Sequence, residues 1–113
     1  MKYLTLKTFE EEVIKSELPV VVIFKNQNCY LCKGLLGVVS RLRRLYFKRI
    51  KFCYIETSIE RRLAETFNIE GVPTILVFKG IDAYEVKYPD NPSPISGYSE
   101  RYLVESLDEF LKE

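Results

Sequence analysis

The stretch NCYLCK at residues 28–33 holds two of the chain's three cysteines, Cys29 and Cys32. An apolar run at residues 19–24 precedes it and a segment with helical periodicity follows at about residues 33–49, so we expect the pair between a buried strand and a helix. At a helix N-terminus, the unpaired N–H groups and the helix dipole favour the thiolate, which is the reactive form of cysteine. The stretch therefore predicts a thiol–disulfide redox site in which Cys29 attacks a partner disulfide and Cys32 resolves the product.

Size and composition predict one globular domain spanning residues 1–113. Hydrophobic residues make up 47% of the chain and aromatic residues 13%, which is enough for a core and argues against disorder. The net charge of +1 gives no reason to expect nucleic acid or an anionic membrane as a partner. The first residues lack the pattern of a secretory signal, and no segment has the ~18 consecutive apolar residues of a membrane span, so we expect a cytoplasmic chain.

Hydrophobic periodicity predicts an α/β domain with the element order β-α-β-α-β-α-β-β-α. The continuous apolar run at residues 20–24 indicates a strand covered on both faces, as in the centre of an α/β sheet. Thr8 and Glu11 match a capping box for the first helix, and Thr57 or Ser58 is a candidate cap for the third. Strands are predicted near residues 3–6, 20–24, 52–55, 74–79 and 83–88, and helices near residues 8–16, 33–49, 60–67 and from Ser99 onward. Helices that join parallel strands must cover the faces of the sheet, which gives a three-layer α/β/α arrangement.

Two other interpretations of the cysteine pair compete with redox chemistry. The first is a pair of packed thiols with no activity, and the second is a zinc site or an iron–sulfur cluster. A structural zinc site normally takes four Cys or His ligands, whereas this chain has three cysteines and no histidine. A metal would therefore need a carboxylate or a second subunit, and we expect none. Cys53 lies between two aromatic residues in a predicted strand, so we expect a small buried hydrophobe rather than a redox regulator.

The second predicted helix ends in a basic segment that contains Arg41, Arg43, Arg44, Lys48 and Arg49. Cations at this end of a helix complement the negative end of its dipole. A nucleic-acid patch is the alternative interpretation, and we prefer a solvated helix face.

Three parts of the sequence, at residues 21–24, 29–33 and 71–74, together resemble the thioredoxin-fold oxidoreductases. They are the apolar strand, the Cys-x-x-Cys before a helix, and a Gly-Val-Pro-Thr that opens a later strand. The resemblance implies a thioredoxin-like fold, a three-layer α/β/α domain with a central mixed sheet of about five strands and four helices. It implies a monomeric enzyme that reduces protein disulfides through a mixed disulfide on Cys29, which Cys32 resolves. An upstream reductase would then reduce the enzyme's own disulfide again. The working group would be the Cys29–Cys32 disulfide, with no other cofactor and no nucleic-acid or membrane partner.

The resemblance also implies a substrate-binding surface. The family's proline that matches Pro73 follows a cis peptide bond, so we expect the Val72–Pro73 bond to be cis. Val72 would then offer its backbone to an extended substrate segment, as in β-strand addition. Tyr30 and Leu31 would form an apolar rim beside the dithiol, and Gly97 would line the same surface.

The chain departs from the family's pattern in ways that bear on its chemistry. Tyr30 and Leu31 replace the usual residues between the cysteines, and these residues influence the reduction potential. The family's buried aspartate and its lysine partner fall at Ile23 and Tyr54, so the charged relay pair is missing there. The loop at residues 88–96 is longer than usual, and we expect it to border the substrate groove. These departures keep a second class of function open, a thioredoxin-fold protein-interaction module with little or no redox turnover.

Overall fold

The computed structural model describes residues 1–112, which form one mixed β-sheet with helices on both faces. The strands are β1 (Lys2–Tyr3), β2 (Val20–Lys25), β3 (Lys51–Glu56), β4 (Thr74–Lys79) and β5 (Asp82–Glu85), in the spatial order β1-β3-β2-β4-β5. The helices are α1 (Leu6–Phe9), which continues as a π-helical segment over Glu10–Ile14, α2 (Tyr30–Leu45), α3 (Arg61–Thr66) and α4 (Glu100–Leu111). The predicted element order and the thioredoxin-like fold are confirmed.

Strand β2 is the centre of the sheet. It runs parallel to β3 on one side and antiparallel to β4 on the other, and its first five residues are all buried. Its continuous apolar sequence is explained by this position, because helices cover both of its faces. One face packs against α2 and α4, and the other packs against α1 and α3. The first cluster includes Val21, Ile23, Leu35, Leu42, Ile75 and Leu103, and the second includes Phe9, Val22, Phe24, Ile55, Leu63 and Phe78.

The helix boundaries differ from the prediction at three places. The cap of α1 is Thr5 rather than Thr8, and the two threonines bond reciprocally so that the helix begins earlier. Helix α2 begins at Tyr30 because the Cys29 side chain caps it, and it ends at Leu45 in a turn that leads into β3.

Helix α3 has no side-chain cap: its N-cap residue is Glu60, and the Thr57 hydroxyl and the Ser58 backbone N–H donate to Oδ1 of Asn26 instead. None of the helices within residues 1–112 has the length and apolar character needed to cross a membrane.

Candidate active site

The two cysteines of the NCYLCK stretch are joined as a disulfide at the start of α2. Their Cα atoms are 5.2 Å apart, within the usual range for a disulfide. Cys29 is the N-cap residue of the helix, and its Sγ accepts the backbone N–H of Cys32 at 3.1 Å. Cys29 is partly exposed, whereas Cys32 is completely buried. A thiolate on Cys29 would therefore accept a helix N–H group and remain accessible from solvent.

Two apolar residues separate the cysteines in the first turn of α2. Tyr30 is 72% exposed, and Leu31 is partly buried. An exposed aromatic ring beside a partly exposed sulfur offers contact area to another protein, because aromatic side chains bury a large surface when a partner covers them.

The segment that carries Cys29 is fixed to the end of β3 by hydrogen bonds. The Oδ1 atom of Asn26 accepts the hydroxyl of Thr57 and the backbone N–H of Ser58, the latter at 3.2 Å. The backbone N–H of Thr57 also donates to the carbonyl of Lys25 at 2.9 Å. The sequence made Thr57 or Ser58 a candidate helix cap and did not predict this support. The available signal was a polar residue after each of two neighbouring parallel strands, since their carboxyl ends meet at one edge.

A buried ion pair lies at the same edge of the sheet. The Nζ of Lys25 is 2.8 Å from Oε1 of Glu56, and the two side chains are only 13% and 6% exposed. The other carboxylate oxygen, Oε2, has no hydrogen-bond partner among the described residues. Ile23 pairs with Tyr54 in the β2–β3 register, which confirms that the two positions of the missing relay pair are neighbours.

The Lys25–Glu56 pair is two residues further along both strands, and side chains two apart on a strand share a face. Ile23 and Tyr54 pack in the cluster beneath α2 and α4. The ion pair therefore belongs to the side of the sheet that α2 covers. In the sequence, this ion pair was indicated by a lysine and a glutamate that each end an apolar strand.

The Val72–Pro73 peptide bond is cis, as predicted. Pro73 is buried and Val72 is partly exposed. The next residue, Thr74, pairs with Phe24 at the end of β2, so the cis bond lies at the edge of the sheet from which the segment leading to Cys29 departs. The hydroxyl of Thr74 donates to the carbonyl of Gly71 at 2.6 Å, which closes the turn in front of the proline.

The loop before α4 rests directly on the helix that carries the cysteines. A Cβ on Gly34 would be 1.8 Å from the carbonyl oxygen of Ile95, so only glycine allows this approach. The side chain of Ile95 is nevertheless 71% exposed. Gly97 is buried with a φ of 73°, and its N–H and carbonyl exchange hydrogen bonds of 2.8 Å with Ser93. Its backbone groups are therefore bonded within the loop.

The third cysteine, Cys53, is completely buried in β3, in the core on the α1 and α3 side. Burial raises the pKa of its thiol to about 11, because the thiolate would lose its hydration. The prediction of a small buried hydrophobe is confirmed. Among residues 1–112, no three His, Cys, Asp or Glu side chains are grouped as metal ligands.

The chain was compared with known proteins. The family model described as Thioredoxin matches residues 1–94. Thioredoxin 1 of Nostoc sp. strain PCC 7120 is 33% identical over 76 residues, which cover 67% of this chain and 71% of the relative. The thioredoxin of Rickettsia bellii is 29% identical over 83 residues, which cover 74% of this chain and 79% of the relative. The thioredoxin of Peptoclostridium acidaminophilum is 38% identical over 72 residues, which cover 64% of this chain and 66% of the relative.

Proposed function

Because this chain belongs to the thioredoxin family and is a thiol–disulfide oxidoreductase, we propose that Cys29 and Cys32 are its reaction centre and that it reduces protein disulfides. One observation carries the assignment of roles. Cys29 caps α2, is partly exposed and accepts a helix N–H on its sulfur, whereas Cys32 is buried in the first turn. The accessible sulfur is the nucleophile, and the buried one resolves.

The proposed reaction begins with the reduced dithiol. The Cys29 thiolate attacks one sulfur of the substrate disulfide, a mixed disulfide forms, and the first substrate sulfur leaves as a thiolate that takes up a proton. Cys32 then loses its proton and attacks the sulfur of Cys29. The second substrate sulfur leaves as a thiolate, and the Cys29–Cys32 disulfide forms. Two electrons have passed from the chain to the substrate, and an upstream dithiol donor returns them.

We assign substrate binding to the surface around Cys29, with Tyr30, Leu31, Val72, Pro73 and Gly97 as its residues. Support for Tyr30 comes from its 72% exposure next to the nucleophile. Val72 and Pro73 are supported by their position at the same edge of the sheet. The support for Gly97 is indirect, because its left-handed backbone shapes the loop whose Ile95 carbonyl contacts Gly34.

The family acts on protein disulfides with a redox-active disulfide and a reductase partner. We propose that the same holds for this chain as a monomer, with residues 1–113 as one domain in the cytoplasm and with no nucleic-acid or membrane partner. No cofactor beyond the Cys29–Cys32 disulfide is needed in this scheme.

Reduction of insulin by dithiothreitol tests the proposal. We expect the parent chain to accelerate precipitation of the insulin B chain and Cys29→Ser to abolish the acceleration. Cys53→Ala is the matched control, because it removes a thiol and leaves the dithiol intact. Cys32→Ser should accumulate a mixed disulfide with the substrate through Cys29. Equal turnover by the parent chain and Cys29→Ser would instead favour a protein-interaction module.

A further inference from the structure

A basic groove lies at the end of the molecule opposite the dithiol. It has a volume of about 760 Å³ and lies between the end of α2, the start of β3 and the first residues of the chain. Its lining includes Lys2, Arg43, Arg44, Phe47, Lys48 and Lys51. Helix α2 has 16 residues, so its two ends are separated by about 24 Å at 1.5 Å per residue. The groove is therefore separate from the proposed reaction centre.

Positive charge is concentrated at this groove. Its basic lining residues are Lys2, Arg43, Arg44, Lys48 and Lys51, and residues 41–51 contain no Asp or Glu. The whole chain has 17 basic and 16 acidic residues, so the remainder of the chain is net negative. A cluster of cations on a chain whose remainder is net negative favours a compact anion over a long polyanion, because the polyanion would also meet the acidic remainder.

Part of this charge is neutralised within the molecule. Glu12 is bonded to Lys51 and lies 3.7 Å from Lys2, and Arg41 is bonded to Glu100. By contrast, the side chains of Arg43 and Arg44 have no hydrogen-bond or ion-pair partner within residues 1–112. The Nζ of Lys48 lies 5.6 Å from the ring centroid of Phe47 and has no acidic partner within residues 1–112. Three cations at the groove are therefore left without an acidic partner in the described part of the chain.

An aromatic residue, Phe47, also lines the groove, and its side chain is 71% exposed. Guanidinium groups bind phosphate through paired N–H donors, and an exposed aromatic ring can stack on a nucleobase. A volume of about 760 Å³ is within the range of small-ligand sites. We propose that this groove binds a nucleoside phosphate, with its phosphates on Arg43 and Arg44 and its base against Phe47.

Titration calorimetry with ADP on the full chain at low salt tests the proposal. We expect ADP to bind and its affinity to fall about tenfold or more in R43Q/R44Q, because two charge-assisted contacts are lost. R61Q/R62Q is the matched control, since it removes two consecutive exposed arginines from α3. It should bind ADP as the parent does. Phe47→Ala should weaken ADP but leave inorganic pyrophosphate unchanged.

Insulin reduction should be unchanged in R43Q/R44Q, which shows that the variant is folded and separates this proposal from the reaction at Cys29. Absence of ADP binding to the parent chain, or an equal loss in R43Q/R44Q and R61Q/R62Q, would overturn the proposal. Tighter binding of a single-stranded RNA than of ADP, lost in R43Q/R44Q, would replace the nucleotide by nucleic acid. Equal weakening of ADP and pyrophosphate by Phe47→Ala would overturn the assignment of the base.

Discussion

The Lys25–Glu56 pair is the most strongly buried pair of charges in the described part of the chain, and its stability depends on both partners. Desolvation of two charges is offset by their attraction only while they remain paired. We expect Lys25→Met to destabilise the fold by about 3–5 kcal/mol, because it leaves the Glu56 carboxylate buried and unpaired. Urea denaturation measures the effect.

A double variant separates pairing from packing at this position. Lys25→Met combined with Glu56→Leu should recover most of the stability, because no unpaired charge remains. Arg101→Met is the control, since the ion pair of Arg101 with Glu105 is exposed. Its loss should lower the free energy of unfolding by no more than about 1 kcal/mol. A small loss for Lys25→Met alone would show that the fold does not depend on this pairing.

Cys53 gives the fold a specific pH dependence. Burial raises the pKa of its thiol to about 11 in the folded state, against about 8.5 in an unfolded chain. The thiol's contribution to stability is present below pH ~8.5 and is lost as pH rises toward ~11, because the unfolded chain releases its proton first.

We therefore expect the free energy of unfolding to fall between pH 8 and 10, and Cys53→Ala to fall less steeply over that range. Tyr3 and the more strongly buried Tyr98 also have raised pKa values, so the parent and variant should both lose stability above pH ~10. Urea denaturation at several pH values measures these slopes. Parallel slopes for the two proteins below pH 10 would exclude Cys53 as the source.

At the scale of elements, the two glycines of α2 have opposite roles. A Cβ on Gly34 would overlap the backbone of Ile95, whereas a Cβ on Gly37 would have no atom within 4 Å. We expect Gly34→Ala to destabilise the fold by about 1–3 kcal/mol through overpacking. Gly37→Ala should stabilise it by about 0.5–1 kcal/mol, because alanine loses less backbone entropy in a helix.

Hydrogen exchange identifies the origin of the Gly34 effect. The N–H groups of Ser93 and Gly97, each of which donates to the other residue's carbonyl, should exchange faster in Gly34→Ala and at the parent rate in Gly37→Ala. Equal stability of the two variants would show that the loop moves aside without cost.

The same helix shows what the sequence could and could not predict. Its apolar stripe and its place after a buried strand follow from periodicity, which depends on local residue order. Its first residue was missed, because a cysteine is an unusual cap and its role depends on side-chain geometry. The role of Gly34 was not predicted, because its contact with Ile95 joins positions 61 residues apart in the chain. The Asn26–Thr57 bond was missed for the same reason.

At the scale of the whole molecule, membership in the thioredoxin family defines the class of reaction. The direction of electron transfer depends on the reduction potential of the dithiol. A dithiol is a strong oxidant when the protein stabilises its reduced form, as a cation beside the thiolate does. The chain has no histidine, and within residues 1–112 the Cys29 sulfur accepts one hydrogen bond, from the backbone N–H of Cys32. This modest stabilisation favours a reducing protein.

We therefore expect a glutathione redox titration of the Cys29–Cys32 pair to give a potential nearer about −270 mV, as in a reductant, than about −120 mV, as in a strong oxidant. The potential is linked to folding, because about 30 mV corresponds to about 1.4 kcal/mol for a two-electron couple. The oxidised chain should accordingly resist urea better than the reduced chain. The titration should be run on Cys53→Ala, so that Cys29 and Cys32 are the only cysteines whose oxidation is measured. A potential near −120 mV, with the reduced chain the more stable form, would reverse the proposed direction of electron flow.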